Sequence, residues 1–382
     1  EDFCRKSVDL GAKMAFMQIT ERPYHSVPKL PELPYVCLRV PTGGGKTLVA
    51  CHAVGIAARE YLHADRALCL WLVPSNTIKD QTLSALRDRS HAYRQAVESR
   101  FSGPVSVIDL TEALYIQRGT LAGETVIIVS TLQALRVEDT EGRKIYESAG
   151  ALQHHFTGLC EKLSASLEKR EDGSAAYSLA NVLRLHRPLI IMDEAHNART
   201  PLSFDTLARL SPSCIIEFTA TPETEHHPER DKFASNILHQ VSAAELKAEE
   251  MIKLPIKLRT RSEWKEVVGE AVRARDHLEE VAKKEEKQTG EHIRPIVLYQ
   301  AQARSQARET LTVEVIKQSL ISDFKIAEEQ IAIATGGTRE IDNVDLFSRD
   351  CPIRHIITVQ ALKEGWDCLL YTSDAADEED SV

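Results

Sequence analysis

Two kinds of segment alternate along the chain. Short, wholly apolar runs recur at Tyr35 to Val40 (YVCLRV), Ala67 to Val73 (ALCLWLV), Thr125 to Ser130 (TVIIVS), Pro188 to Asp193 (PLIIMD) and Cys214 to Thr219 (CIIEFT). Each has the length of a strand. Their apolarity is continuous rather than alternating, as in a parallel strand buried on both faces. Polar, helix-compatible stretches separate them. The pattern is a repeated βαβ unit and predicts an α/β fold, an open parallel sheet with flanking helices.

The same pattern divides the chain. Residues 1–225 hold the five runs and form the first predicted domain, with a helical, strand-free insertion over about 141–187. A charged stretch over 226–261 reads as a linker. Its His226-His227 pair belongs to that linker, since adjacent side chains rarely reach one metal ion together. A long helix is predicted from Ser262 to Gln288, with Trp264, Val267, Val268, Ala271, Val272, Leu278 and Val281 mostly on one stripe. Its charge run, Lys283 to Lys287, reads as a solvated face. Three further runs, Pro295 to Gln300, Ile331 to Thr335 and Ile353 to Gln360, begin a second α/β domain over 262–368 that has too few strands to be complete.

Composition narrows the classes. Hydrophobic residues make up 43% and charged residues 27% of the 382, the balance of a soluble globular protein. No apolar run reaches the roughly 18–20 residues that span a bilayer, so no membrane partner is expected. The eight cysteines lie far apart and form no C-x-x-C pair, which argues against a zinc ribbon and fits a reducing cytoplasm. The net charge of -10 argues against coating nucleic acid by charge alone. Half of it comes from Asp374, Asp377, Glu378, Glu379 and Asp380, close to the C-terminus. A mildly acidic protein can still hold a local basic groove, so nucleic acid is not excluded.

Chemistry enters with RVPTGGGKTLVA. A predicted strand ends at Val40, a loop carries Thr42, Gly43, Gly44 and Gly45, and Lys46-Thr47 opens a helix. Glycines let backbone N–H groups approach phosphate oxygens, and a helix N-terminus favours the anion. Lys46 would reach the β- and γ-phosphates of ATP, and the Thr47 hydroxyl would hold Mg²⁺. The general pattern G-x-x-x-x-G-K-S/T is not fully met, because Val40 stands where it has glycine.

The second signal is PLIIMDEAHNA. A buried strand delivers Asp193 and Glu194 to its C-terminal end, where sites form in open parallel sheets. Asp193 would hold Mg²⁺ through its water shell, and Glu194 would orient and deprotonate the attacking water. The third is FTATPE, which sets Thr219 and Thr221 just past a strand, where an ordinary Thr-Pro turn is the plain alternative.

In this order the motifs resemble those of superfamily 2 DEAD/DEAH-box helicases, which use the loop variant P-T-G-x-G-K-T. WLVPSNTIKDQT, VIIVSTLQALR, PLIIMDEAHNAR, IRPIVLYQ and ITVQALKEGWDC are similar to the restriction subunit of type III restriction enzymes. The resemblance covers Val36 to about Cys368. It implies RecA-like P-loop NTPase domains and an ATP-driven motor on nucleic acid, DNA before RNA, with a methyltransferase as a partner subunit. It also implies that His196 couples the ATP site to the TAT motif. Thr219 and Thr221 would link that site to domain movement. Ser75, Asn76 and Gln81, Ser130 and Thr131 (within Ser130 to Gln133), Thr335 and Gly336 would contact the backbone of the nucleic acid. Gly365 and Asp367 would join both ligands across the cleft.

Two other classes compete. A P-loop kinase has no use for TATP or ALKEGWD, and a non-catalytic clamp has no use for Lys46, Asp193 and Glu194 together. The last residues, Leu369 to Val382, depart from the family pattern and resemble a translated sequencing adapter. The expectation is a native sequence that continues differently after Asp367 or Cys368. A chain cut there lacks an arginine finger and would hydrolyse ATP weakly.

Overall fold

A computed structural model describes residues 1–136, 144–194, 199–226, 233–249, 259–290, 292–303, 310–335, 340–341, 344–346 and 348–359. His196, His227, Gly336, Gly365, Asp367 and Leu369 to Val382 lie outside the described residues. The chain divides into two compact units, Glu1–Leu254 and Pro255–Ala376.

The described strands of the first unit are β1 (Tyr35–Arg39), β2 (Leu68–Val73), β3 (Val105–Asp109), β4 (Thr125–Thr131), β5 (Leu189–Asp193), β6 (Cys214–Thr219) and β7 (Ile237–Gln240). They form one sheet in the order β3-β4-β2-β5-β6-β1-β7, and every pairing is parallel. The five predicted strands are its interior. Every residue of β4, β5 and β6 is buried, as the continuous apolar runs require.

The edges differ from the sequence expectation. β3 and β7 were not among the predicted runs, because an edge strand needs only partial cover and carries a weaker apolar signal. β3 alternates buried and half-buried positions, and β7 is half-buried to exposed. The stretch expected to be a linker therefore supplies an edge strand.

The helices that matter here are α1 (Asp2–Leu10), α2 (Ala12–Thr20), α3 (Lys46–Glu60), α4 (Asn76–Arg87), α5 (Ala92–Glu98), α6 (Leu179–His186), α7 (Pro201–Arg209) and α8 (Ala243–Ala248). Helix α3 sets Ala50, Val54 and Ala57 against Cys69, Trp71, Ile191 and Phe218 on one face of the sheet. The opposite face packs Tyr35, Leu70, Ile128, Ile190 and Ile215 against Phe204 and Leu207 of α7. Ile145, Leu152, Leu179 and Leu183 join that second core. The region expected to be an insertion thus carries part of the domain's own hydrophobic interior.

In the second unit, β8 (Val297–Gln300), β9 (Ile331–Ala334) and β10 (His355–Thr358) form a parallel sheet with β10 central. α9 (Trp264–Thr289) and α10 (Val313–Ser322) accompany it. Only part of the predicted stripe of α9 is used. Val268 and Val272 pack with Tyr299, Ile316 and Leu320, whereas Val267, Leu278 and Val281 stay exposed. Lys283, Lys284 and Lys287 are exposed, as a solvated face requires. His355 is buried with its Nδ1 3.0 Å from the Tyr299 hydroxyl. Burial, and then the charge of Arg275, push its pKa down to about 4. It is therefore a neutral core histidine at physiological pH.

Candidate nucleotide site

The C-terminal ends of β1, β5 and β6 meet along one edge of the sheet. β1 runs into the glycine loop. Gly43 and Gly45 adopt left-handed φ values of 78° and 77°, open to glycine at no steric cost. Gly44 is held by space instead. A Cβ there would lie 2.6 Å from Val40 Cγ1 and 2.8 Å from Leu246 Cδ1. Leu246 comes from α8, so the region expected to be a linker also braces the loop.

Helix α3 starts directly after Gly45, with no side-chain cap and no acidic residue in its first turn. Its first N–H groups and its dipole suit an anion. We expect Gly44→Ala to weaken nucleotide binding by about tenfold or more, because several loop atoms must shift to admit the methyl group. Titration with a fluorescent ATP analogue reads this, and unchanged affinity would refute the packing argument.

Strand β5 brings the acidic pair to the same place. Lys46 Nζ lies 2.7 Å from Glu194 Oε1, with side-chain exposures of 7% and 27%. Thr47 Oγ1 donates to Asp193 Oδ2 at 2.9 Å. The lysine and threonine of the loop thus meet the two carboxylates chosen from the sequence. Glu194 sits at a left-handed φ of 53°, uncommon for a residue with a Cβ. Such strain persists where the surroundings impose it, often at functional positions.

Asp193 is buried, and its Oδ1 has no hydrogen-bond partner among the described residues. Burial, followed by the charge of Glu194, raises its pKa to about 6, against the pull of Thr47 and Lys46. A buried carboxylate oxygen without a donor is suited to a cation or a cation-bound water. Beside the Thr47 hydroxyl it fits Mg²⁺, which takes few protein oxygens and keeps water and phosphate as its other ligands. Among the described residues no cluster of three or more His, Cys, Asp or Glu side chains is spaced for a metal ion.

The TAT segment closes onto this edge. The Val40 N–H donates to the Thr219 carbonyl at 3.1 Å, and Arg39 Nε donates to the Ala220 carbonyl at 3.2 Å. Thr219 is fully buried, and its hydroxyl accepts the Thr221 N–H at 3.2 Å within its own turn. Thr221 is exposed.

The residues expected to contact nucleic acid divide by exposure. Asn76 and Gln133 are exposed just past β2 and β4, and Gln81 is exposed within α4. The Ser75 hydroxyl caps α4, accepting from the Ile78 N–H at 3.4 Å. Ser130 and Thr131 are buried. The Ser130 hydroxyl donates to the Thr131 carbonyl, and the Thr131 hydroxyl accepts from the Ala134 N–H. Both hydroxyls are therefore occupied by local backbone. Thr335 follows β9 in the second unit.

One buried charge was not singled out from the sequence. Arg199, 3% exposed, lies 3.5 Å from Glu217 Oε2, donates to Ser235 Oγ at 3.2 Å and stacks over the Tyr35 ring at 4.5 Å. Glu217 precedes the TAT turn by two residues, so this group ties the segment after the acidic box to β6. Breaking such a buried pair costs about 3–5 kcal/mol, since one charge is left without its counter-charge. The only sequence signal was a lone arginine shortly before a helix.

Fold and site together define the class: a helicase-like P-loop NTPase with a RecA-like domain. The sequence profile described as "Type III restriction enzyme, res subunit" matches residues 29–224, just over half of the chain. The chain belongs to that family. No curated protein matches it. Two solved structures of the UvsW helicase of bacteriophage T4 are similar to it. One shares 14% identity at a TM-score of 0.26 over 50% of this chain and 48% of that one. The other shares 12% at a TM-score of 0.26 over 93% of this chain and 63% of that one. The chain therefore spans about half of the first and under two thirds of the second. No helix among the described residues is long and apolar enough to cross a membrane.

Proposed function

We propose that this chain is the ATP-driven motor portion of a type III restriction subunit, hydrolysing ATP to move along DNA. The observation that carries the proposal is the double pairing of Lys46 with Glu194 and Thr47 with Asp193 at the end of β5. Residues far apart in sequence converge there on one anion-suited helix start.

In this function the glycine loop and the first turn of α3 hold the phosphates. Lys46 leaves Glu194 and turns to the β- and γ-phosphates. Thr47 and Asp193 would hold Mg²⁺, which would supply charge neutralisation at the phosphate oxygens. Glu194, released from Lys46, accepts the proton of the attacking water. Thr219 ends the strand paired with β1 and Thr221 lies in the turn just past it, both suited to pass a change at the loop to the rest of the domain. Asn76 and Gln81 are exposed on α4, which starts just past the C-terminal end of β2, and are suited to contacts with a nucleic-acid backbone that position without reading sequence. A methyltransferase subunit would supply sequence recognition.

ATP turnover by the full-length subunit, measured with no nucleic acid, with duplex DNA, with single-stranded DNA and with RNA, tests this. DNA is expected to stimulate turnover most, and Lys46→Ala to abolish the response. Turnover indifferent to every nucleic acid would remove the motor proposal, and stimulation by RNA alone would move the track from DNA to RNA.

A further inference from the structure

We propose that the first unit carries a second anion site, at the N-terminal ends of its strands, which takes a phosphate group borne by a small molecule. A cavity of about 550 Å³ opens there, within the common size of ligand pockets. Ser7 of α1, Tyr61 just past α3, Arg66 before β2, His186 and Arg187 at the end of α6, and Ser213 before β6 converge on it.

Two buried serines line the cavity. Ser7 is 6% exposed and Ser213 is 4% exposed. The Ser7 hydroxyl has no hydrogen-bond partner among the described residues, and the Ser213 hydroxyl bonds to the Cys214 thiol. A buried hydroxyl left unpaired costs about 1–3 kcal/mol, so the Ser7 hydroxyl beside the cavity is suited to a ligand that accepts hydrogen bonds. Tyr61 adds a third hydroxyl. Burial, then the neighbouring Cys214, raise its phenol above the ordinary value while Arg187 lowers it. It is therefore protonated at neutral pH and able to donate.

Charge points the same way. Arg66 and Arg187 are exposed at the cavity and form no ion pair among the described residues. Among the described residues, no acidic side chain lines the cavity. The nearby Glu60 is engaged with Arg5 at 2.6 Å. Hydroxyl donors backed by two guanidinium groups suit a dianionic phosphate, which accepts several charge-assisted hydrogen bonds. Val8, Leu62 and Leu68 form an apolar wall beside them, suited to an apolar or aromatic body.

This cavity is separate from the glycine loop. Ser213 and Arg187 precede β6 and β5, whereas Asp193 and Thr219 end them. At about 3.3 Å per residue, a strand of this length places the two ends about 17 Å apart. A phosphate held by Lys46 cannot also meet Ser213.

Calorimetric titration of the whole chain with phenyl phosphate tests the proposal. Binding is expected for the wild type and, undiminished, for Lys46→Ala. It should weaken by about tenfold or more in the double variant Arg66→Gln/Arg187→Gln and in Ser7→Ala, the scale of a lost hydrogen bond to a charged group. The arginines are exposed, so the double variant remains informative if Ser7→Ala fails to fold. Inorganic phosphate should bind more weakly than phenyl phosphate, lacking the apolar body. No binding by the wild type overturns the site. So does binding lost in Lys46→Ala yet intact in the arginine variant. Tighter binding of a short single-stranded oligonucleotide, with the same dependence on the arginines, would overturn the small-molecule source. None of these outcomes depends on whether the glycine loop turns over ATP.

Discussion

Glu194→Gln is expected to lower ATP turnover by about 10²–10⁴-fold, the range for loss of a general base. The substitution keeps the shape of the side chain and removes its charge. In the structure that charge is paired with Lys46 at 2.7 Å. Neutralising it frees Lys46 for phosphate, so nucleotide affinity should hold or rise while chemistry fails. Lys46→Ala should behave oppositely, losing affinity first. Phosphate release under saturating ATP, read beside the dissociation constant of a fluorescent analogue, separates the two. Wild-type turnover in Glu194→Gln would show that the water is activated by another group, and the pairing would then be structural.

The second large effect concerns stability. Trp71 is wholly buried at the centre of β2, between α3 and the neighbouring strands. Its indole N–H has no hydrogen-bond partner among the described residues. Its contribution is therefore packing. Trp71→Ala should cost about 3–5 kcal/mol, the range for removing a large aromatic side chain from a core. Trp71→Phe should cost much less, since it keeps most of the volume and discards an unsatisfied donor. Urea denaturation followed by circular dichroism gives both values. Equal midpoints for Trp71→Ala and the wild type would mean that α3 does not pack on β2 as described. The site would be affected as well, because α3 carries Lys46 and Thr47 at its first turn.

The arrangement of the candidate nucleotide site was largely legible in the chain. The glycine loop must be glycine at Gly43 and Gly45 because of backbone conformation, and a strand followed by such a loop and a lysine has few other uses. The acidic pair was legible for the same reason: a buried apolar run has little room for two carboxylates except at its end. The interior strands were legible because a strand covered on both faces leaves an unbroken apolar run. The edge strands β3 and β7 were not, since partial cover weakens that run.

What the chain alone could not provide were relations between distant residues. Thr47 and Asp193 are 146 positions apart, and only the sheet order brings β1 and β5 close enough for their hydrogen bond. Ser130 and Thr131 look like surface hydroxyls in a polar motif, yet the fold buries both and occupies them with local backbone. Arg199 looks like a solvated charge, and only Glu217, Ser235 and Tyr35 around it make its burial tolerable. Local sequence determines which residues can form a strand, a glycine turn or a helix start, because backbone conformation and side-chain burial act over a few neighbours. Tertiary structure decides which charges are paired and which hydroxyls are left without a partner, because those depend on distances the chain sets only when it has folded.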